Sequence, residues 1–126
     1  MLSVLVLAAI LLTAHELGHI FTTVGLGGHF RGIVFRGIAA GVSLDLSGLS
    51  LRRRMGTAWA GTGAELFVAA VITGLALAGV LDMHLLAWTL VIVAADATLN
   101  LGPWWSESDG ALIRRWGAAP KSAYRA

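Results

Sequence analysis

Cysteine is absent from the 126 residues. That absence excludes disulfides, thiolate nucleophiles and cysteine-ligated zinc together, so any bound metal must be held by histidine and carboxylate. Charge is scarce as well. Only 13% of the residues are charged while 57% are hydrophobic, too apolar for a small soluble domain whose surface must be wetted. There is no linker rich in proline or serine and no fixed-period repeat, so a single domain over residues 1–126 is expected. The N-terminal stretch lacks the basic n-region and the small-residue cleavage site of a signal peptide, and is expected to remain as a span.

Three segments, roughly 2–26, 57–81 and 84–102, are long enough to cross a hydrocarbon core, which takes about 20 residues. The composition and these spans predict an all-α integral membrane protein with three transmembrane helices. Arg31, Arg36, Arg52, Arg53 and Arg54 fall between the first and second spans, and Arg114, Arg115, Lys121 and Arg125 follow the third. The N-terminus and the tight Asp82-Met83 connection carry no Lys or Arg. The positive-inside rule therefore predicts an outside N-terminus and a cytoplasmic tail over 103–126, with the plasma membrane of a prokaryote as the expected location. The basic balance is assigned to anionic lipid at the cytoplasmic face rather than to nucleic acid.

Between the first two spans, His29 to Phe35 and Ile38 to Leu46 are short, glycine-punctuated, β-branched runs that alternate roughly, which predicts two or three short strands in a hairpin-like segment. Open strand edges are not tolerated against lipid, so this segment belongs at the interface or along a water-filled cavity. It reads either as a structured loop or as an edge on which an extended substrate adds as a further strand.

The first span contains His15-Glu16-Leu17-Gly18-His19. Spanning a membrane requires none of its polar residues, and a central ionised group costs roughly 2.5–3.5 kcal/mol on insertion scales. At i, i+4 spacing His15 and His19 share one helix face, where two nitrogens can converge on one zinc ion. Glu16 then stands beside the metal, placed to take a proton from an activated water. A third ligand is needed, since catalytic zinc takes three protein groups and keeps one position open.

The third span ends in Asn100-Leu101-Gly102-Pro103, followed by Asp109-Gly110. A His-Glu-x-x-His on the first membrane helix, then Asn-x-x-Pro, then Asp-Gly, resembles the site-2 protease family of intramembrane zinc metalloproteases, over residues 13 to 113. The resemblance implies that His15, His19 and Asp109 bind Zn2+, that Glu16 is the general base, and that Asn100 holds the scissile carbonyl or the oxyanion. It implies a membrane-protein substrate helix as partner and implies no oligomeric state. In physical terms Pro103 stops the helix, letting the chain turn back and bring Asp109 toward the histidines. Gly110 permits a tight turn, and Ala111 to Trp116 reads as a short basic interfacial helix.

Two positions depart from the family pattern. One extra residue separates Pro103 from Asp109, which makes Glu107 a competing carboxylate. Ala60-Gly61-Thr62-Gly63-Ala64-Glu65 resembles the family's Ala-Gly-Pro-x-x-Asn, with threonine for proline and Glu65 for asparagine. Glu65 and Asp96, ionisable groups inside apolar spans, are read three ways: as protonated partners joining the second and third helices, as groups that orient a ligand or Asn100 or handle protons, or, for Glu65, as a zinc ligand. Ala60 with Ala64 and Ala70 with Gly74 suit close helix packing. His29 and His84 are read as solvated, and Trp59, Trp104, Trp105 and Trp116 as an interfacial belt, with Trp104-Trp105 also able to line a substrate entrance. The rival class is a non-catalytic membrane module that binds metal or a partner helix.

Overall fold

The computed structural model describes residues 2–36, 39–102, 104 and 108–118. Four helices and one hairpin follow in the order α1 (Leu2–Gly25), β1 (His29–Arg36), β2 (Ala39–Asp45), α2 (Leu51–Leu77), α3 (Met83–Leu101) and α4 (Asp109–Gly117). Of these, α1, α2 and α3 are long and apolar enough to cross a membrane. The described residues thus contain the expected three long helices and the hairpin between the first two. Pro103, Trp105, Glu107, Ile38, Lys121 and Arg125 lie outside the described residues, and with them the readings placed on Pro103 as a helix stop and Glu107 as a rival ligand.

The second long helix begins six residues before its expected start, at Leu51 rather than 57, and ends at Leu77. Arg52, Arg53 and Arg54 therefore belong to its first turn. Cations are unfavourable at a helix N-terminus, and the two whose partners are seen turn to carbonyls instead. Arg53 donates to Leu26 O at 3.2 Å, and Arg54 donates to Leu49 O at 2.9 Å and Ser47 O at 3.1 Å. The chain after α1 is turned by Gly27, whose φ of 95° lies in the left-handed region open to glycine.

α1 and α2 are antiparallel neighbours brought together by small residues. A Cβ at Gly18 would lie 2.4 Å from Ala60 O and 2.8 Å from Ala64 Cβ, so the helices meet almost backbone to backbone. Leu7 and Leu11 of α1, Ala69 of α2 and Val93 of α3 form the apolar core. The next turns of the same helices carry the buried polar set His15, His19, Glu65 and Asp96. Phe21, Phe67, Leu77, Trp88 and Leu99 are exposed on the outer faces.

β1 and β2 pair antiparallel, Ile33 opposite Val42, with the register slipping between Phe30 and Gly32. Among the described residues two strands form, the lower of the two expected numbers. At the end of β2, Asp45 accepts from Ser47 Oγ at 2.7 Å and Ser47 N–H at 3.0 Å and pairs with Arg31. These contacts, the Ser47 hydroxyl first, hold the Asp45 carboxyl well below the usual carboxylate range. A depressed folded value means that this brace persists above the unfolded value of about 3.9 and fades as pH falls below it. The Ser47 amide shift should accordingly stay constant from neutral pH down to about 4, with its midpoint lower still. A midpoint at the ordinary carboxylate value would refute the brace.

α4 starts at Asp109, two residues before its expected start, because Ser108 caps it by accepting from Ala111 N–H at 3.2 Å. Asp109 in its first turn and Arg114 and Arg115 in its last suit the helix dipole. Gly110 lies inside this helix rather than in a turn. A Cβ there would fall 1.8 Å from Leu101 O, so glycine is needed for the close approach of α4 to the end of α3.

Candidate metal centre

Helical spacing puts His15 and His19 on the face of α1 that meets α2, and α4, packed against α2 and α3, brings the Asp109 carboxylate to them. His15 Nε2 lies 3.0 Å from His19 Nε2, and Asp109 Oδ2 lies 3.4 Å and 3.2 Å from these two nitrogens. A tetrahedral ion bonded at about 2.0–2.1 Å separates its ligand atoms by about 3.3 Å. The triangle already has that size. His15 and His19 are buried and Asp109 is half-buried, so the three donor atoms can hold a metal ion. Burial alone would raise the Asp109 carboxyl, but the hydrogen bonds and charge of His15 and His19 outweigh it and keep Asp109 below the usual carboxylate range. An ionised carboxylate is what a cation requires.

The remaining ring nitrogens face partners that aim the Nε2 lone pairs at the triangle. His19 Nδ1–H donates to Thr57 O at 2.8 Å, leaving Nε2 as the ligand atom. His15 Nδ1 lies 3.4 Å from Glu65 Oε2 and 3.2 Å from Asp96 Oδ2, at ion-pair distance without a closed hydrogen bond. Glu65 is fully buried, and among the described residues neither of its oxygens has a hydrogen-bond partner. His15, Glu65 and Asp96 form a second group with metal-ligating atoms, yet the two groups share one imidazole. A ring whose Nε2 binds metal as neutral imidazole carries its proton on Nδ1, so the two carboxylates stand as acceptors behind His15. Asp96 Oδ2 also accepts from Asn100 Nδ2 at 2.7 Å.

A cavity of about 830 Å³ opens beside the triangle, lined by His15, Glu16, His19, Asn100 and Asp109 on one side and residues 40–44 of β2 on the other. Every named site residue except Glu65 and Asp96 borders it, and those two lie directly behind His15. Glu16 stands outside the cluster whose ligand atoms lie within 4.8 Å of one another. Its Oε2 accepts from Val42 N–H at 3.0 Å. Trp116 lines the cavity, whereas Trp104 is exposed and does not. His29 and His84 are exposed, as expected.

Three contributors were not foreseen. Gly61 faces both imidazoles, and a Cβ there would sit 2.4 Å from His19 Nε2 and 2.5 Å from His15 Nε2. The run Ala60-Gly61-Thr62-Gly63-Ala64 signals close packing, but not which glycine lies against the histidines. Thr57 and Val42 act through backbone groups, which leave no side-chain signature. No protein-family model, curated protein or solved structure matches the chain.

Proposed function

We propose that the chain is an intramembrane zinc metalloprotease resembling the site-2 protease family, which hydrolyses peptide bonds in a membrane-protein substrate segment. The observation that carries this reading is the convergence of His15, His19 and Asp109 at 3.0–3.4 Å, with a carboxylate and an amide side chain bordering the same cavity. Two imidazoles and one carboxylate form a donor set that would suit zinc, and all three residues line the cavity. In this reading α1, α2 and α3 cross the membrane, their exposed apolar side chains facing lipid, with the N-terminus outside and α4 on the cytoplasmic side.

When bound, zinc supplies Lewis acidity, polarising a carbonyl and making water a stronger acid. The chain supplies the rest. Thr57 O on one ring and the Glu65 and Asp96 carboxylates behind the other keep both imidazoles turned to the metal. Glu16 accepts the proton of the attacking water on a carboxylate oxygen and delivers it to the amine nitrogen as the C–N bond breaks. Asn100 Nδ2 carries two hydrogens. Asp96 takes one, and the other is available to the carbonyl oxygen as negative charge develops there. β2 offers its unpaired edge to the cavity, where an unwound substrate can lie extended.

Glu16→Gln separates this reading from a non-catalytic metal-binding module. The enzyme is expected to retain its zinc and lose hydrolysis of a fluorescent casein by at least about 100-fold, the scale of general-base catalysis. Equal turnover by both proteins would overturn the assignment, as would wild type binding zinc tightly but cleaving nothing.

A further inference from the structure

Glu16 borders the same cavity as the metal triangle but stands outside the cluster of ligand atoms. Its Oε2 is held by Val42 N–H at 3.0 Å, and it does not belong to the His15, His19, Asp109 cluster. Val42 stands opposite Ile33 in the hairpin. Residues of an antiparallel strand alternate between sending their N–H to the partner strand and sending it outward. An N–H that reaches a carboxylate on α1 is pointing outward, so Val42 belongs to the unpaired edge of β2. That edge borders the cavity with Ala40, Gly41, Ser43 and Leu44. An extended peptide lying on it accepts hydrogen bonds from alternate outward amides, and Val42 stands in the middle of the row. One N–H cannot serve both Glu16 and a peptide carbonyl at full strength. Next to Val42, a Cβ at Gly41 would meet, among the described residues, only Glu16 Oε1, at 3.9 Å.

We infer that the Val42 amide is a shared donor: it holds the Glu16 carboxylate on β2 while the cavity is empty, and passes to a backbone carbonyl of a docking strand, releasing Glu16 toward the metal triangle. The inference rests on the proposed protease reading and adds to it a coupling between strand docking and release of the base. A substrate that remains helical offers no carbonyl to Val42 and leaves the base held. Water entering the cavity alone then meets a base engaged elsewhere. Val42 is a positioning residue through its backbone, and the hairpin takes part in arming the site.

The test uses the full chain in detergent micelles, labelled with 15N-valine and with glutamate 13C-labelled at the carboxyl, and two probes. One probe is a ten-residue valine–threonine peptide that favours extended structure, and the other is an alanine–leucine helix. The Val42 amide resonance is expected to move upfield in Glu16→Ala, because its carboxylate acceptor is gone. In wild type the extended peptide is expected to shift the Glu16 carboxyl resonance while Val42 N–H stays hydrogen-bonded, and the helical peptide is expected to change neither. A Val42 amide indifferent to Glu16→Ala would overturn the inference, as would a Glu16 resonance that ignores the extended peptide. Casein hydrolysis is read separately. Hydrolysis without the Val42 response refutes the shared donor alone. Both resonance changes in a chain that hydrolyses nothing uphold the shared donor and refute the protease reading.

Discussion

Asp109→Ala is expected to reduce bound zinc in detergent-purified protein from near one ion per chain to a small fraction of that. Asp109 supplies one corner of the triangle, and the other two corners stay fixed by α1. Loss of a group that merely orients a ligand typically lowers metal affinity about 10- to 100-fold, so loss of the ligand itself should exceed that range. Ser108 caps α4 and also donates to Gly102 O at 2.7 Å, so the helix should stay docked, and lost zinc would report the ligand rather than an unfolded end. Zinc affinity measured by chelator competition decides it. Undiminished binding would shift the site to the carboxylates behind His15 and remove the main support of the protease reading.

The second large effect is expected at a residue with no side chain. Gly61→Ala adds one methyl group at 2.4–2.5 Å from both Nε2 atoms, a separation that Cβ contacts do not tolerate. Overpacking of this kind costs roughly 1–3 kcal/mol, against about 1 kcal/mol gained from replacing glycine in a helix. The rings cannot give way freely, because Thr57 O holds one and Glu65 and Asp96 stand behind the other. The strain therefore falls on the metal triangle. Zinc affinity is expected to fall at least about tenfold, the equivalent of 1.4 kcal/mol, while far-ultraviolet circular dichroism stays helical. Gly63→Ala is the matched control, since a Cβ at Gly63 meets nothing within 4 Å among the described residues. Equal zinc affinity in the two variants would show that the imidazoles do not depend on the missing methyl.

The parts of this site legible in the sequence are those that rest on periodicity within one element. His15 and His19 are recoverable because i, i+4 spacing fixes one helix face whatever packs against it. Asp109 became a candidate through the resemblance in motif order, since no local pattern relates it to residues so distant along the chain. Three consecutive arginines read as a membrane edge and hide the early start of α2, whereas Arg53 and Arg54 are accommodated in its first turn by the carbonyls of Leu26, just past α1, and of Ser47 and Leu49 before α2. Gly110 was read as a turn residue. Its reason is the nearness of Leu101 O, a tertiary contact that residue type alone does not disclose. Glu65 and Asp96 were recognised as out of place in apolar helices, but only the packing shows that both face the same ring nitrogen.

The donors of the metal centre come from nearly opposite ends of the chain, two from α1 and one from α4. A ribosome releases α1 before α4, so during that interval the paired imidazoles stand without their carboxylate. A chain stalled or truncated before α4 keeps His15 and His19 but lacks the third corner. Ion capture at this candidate site would thus act as a checkpoint on the docking of α4 against the other described helices, since two imidazoles alone leave the donor set incomplete.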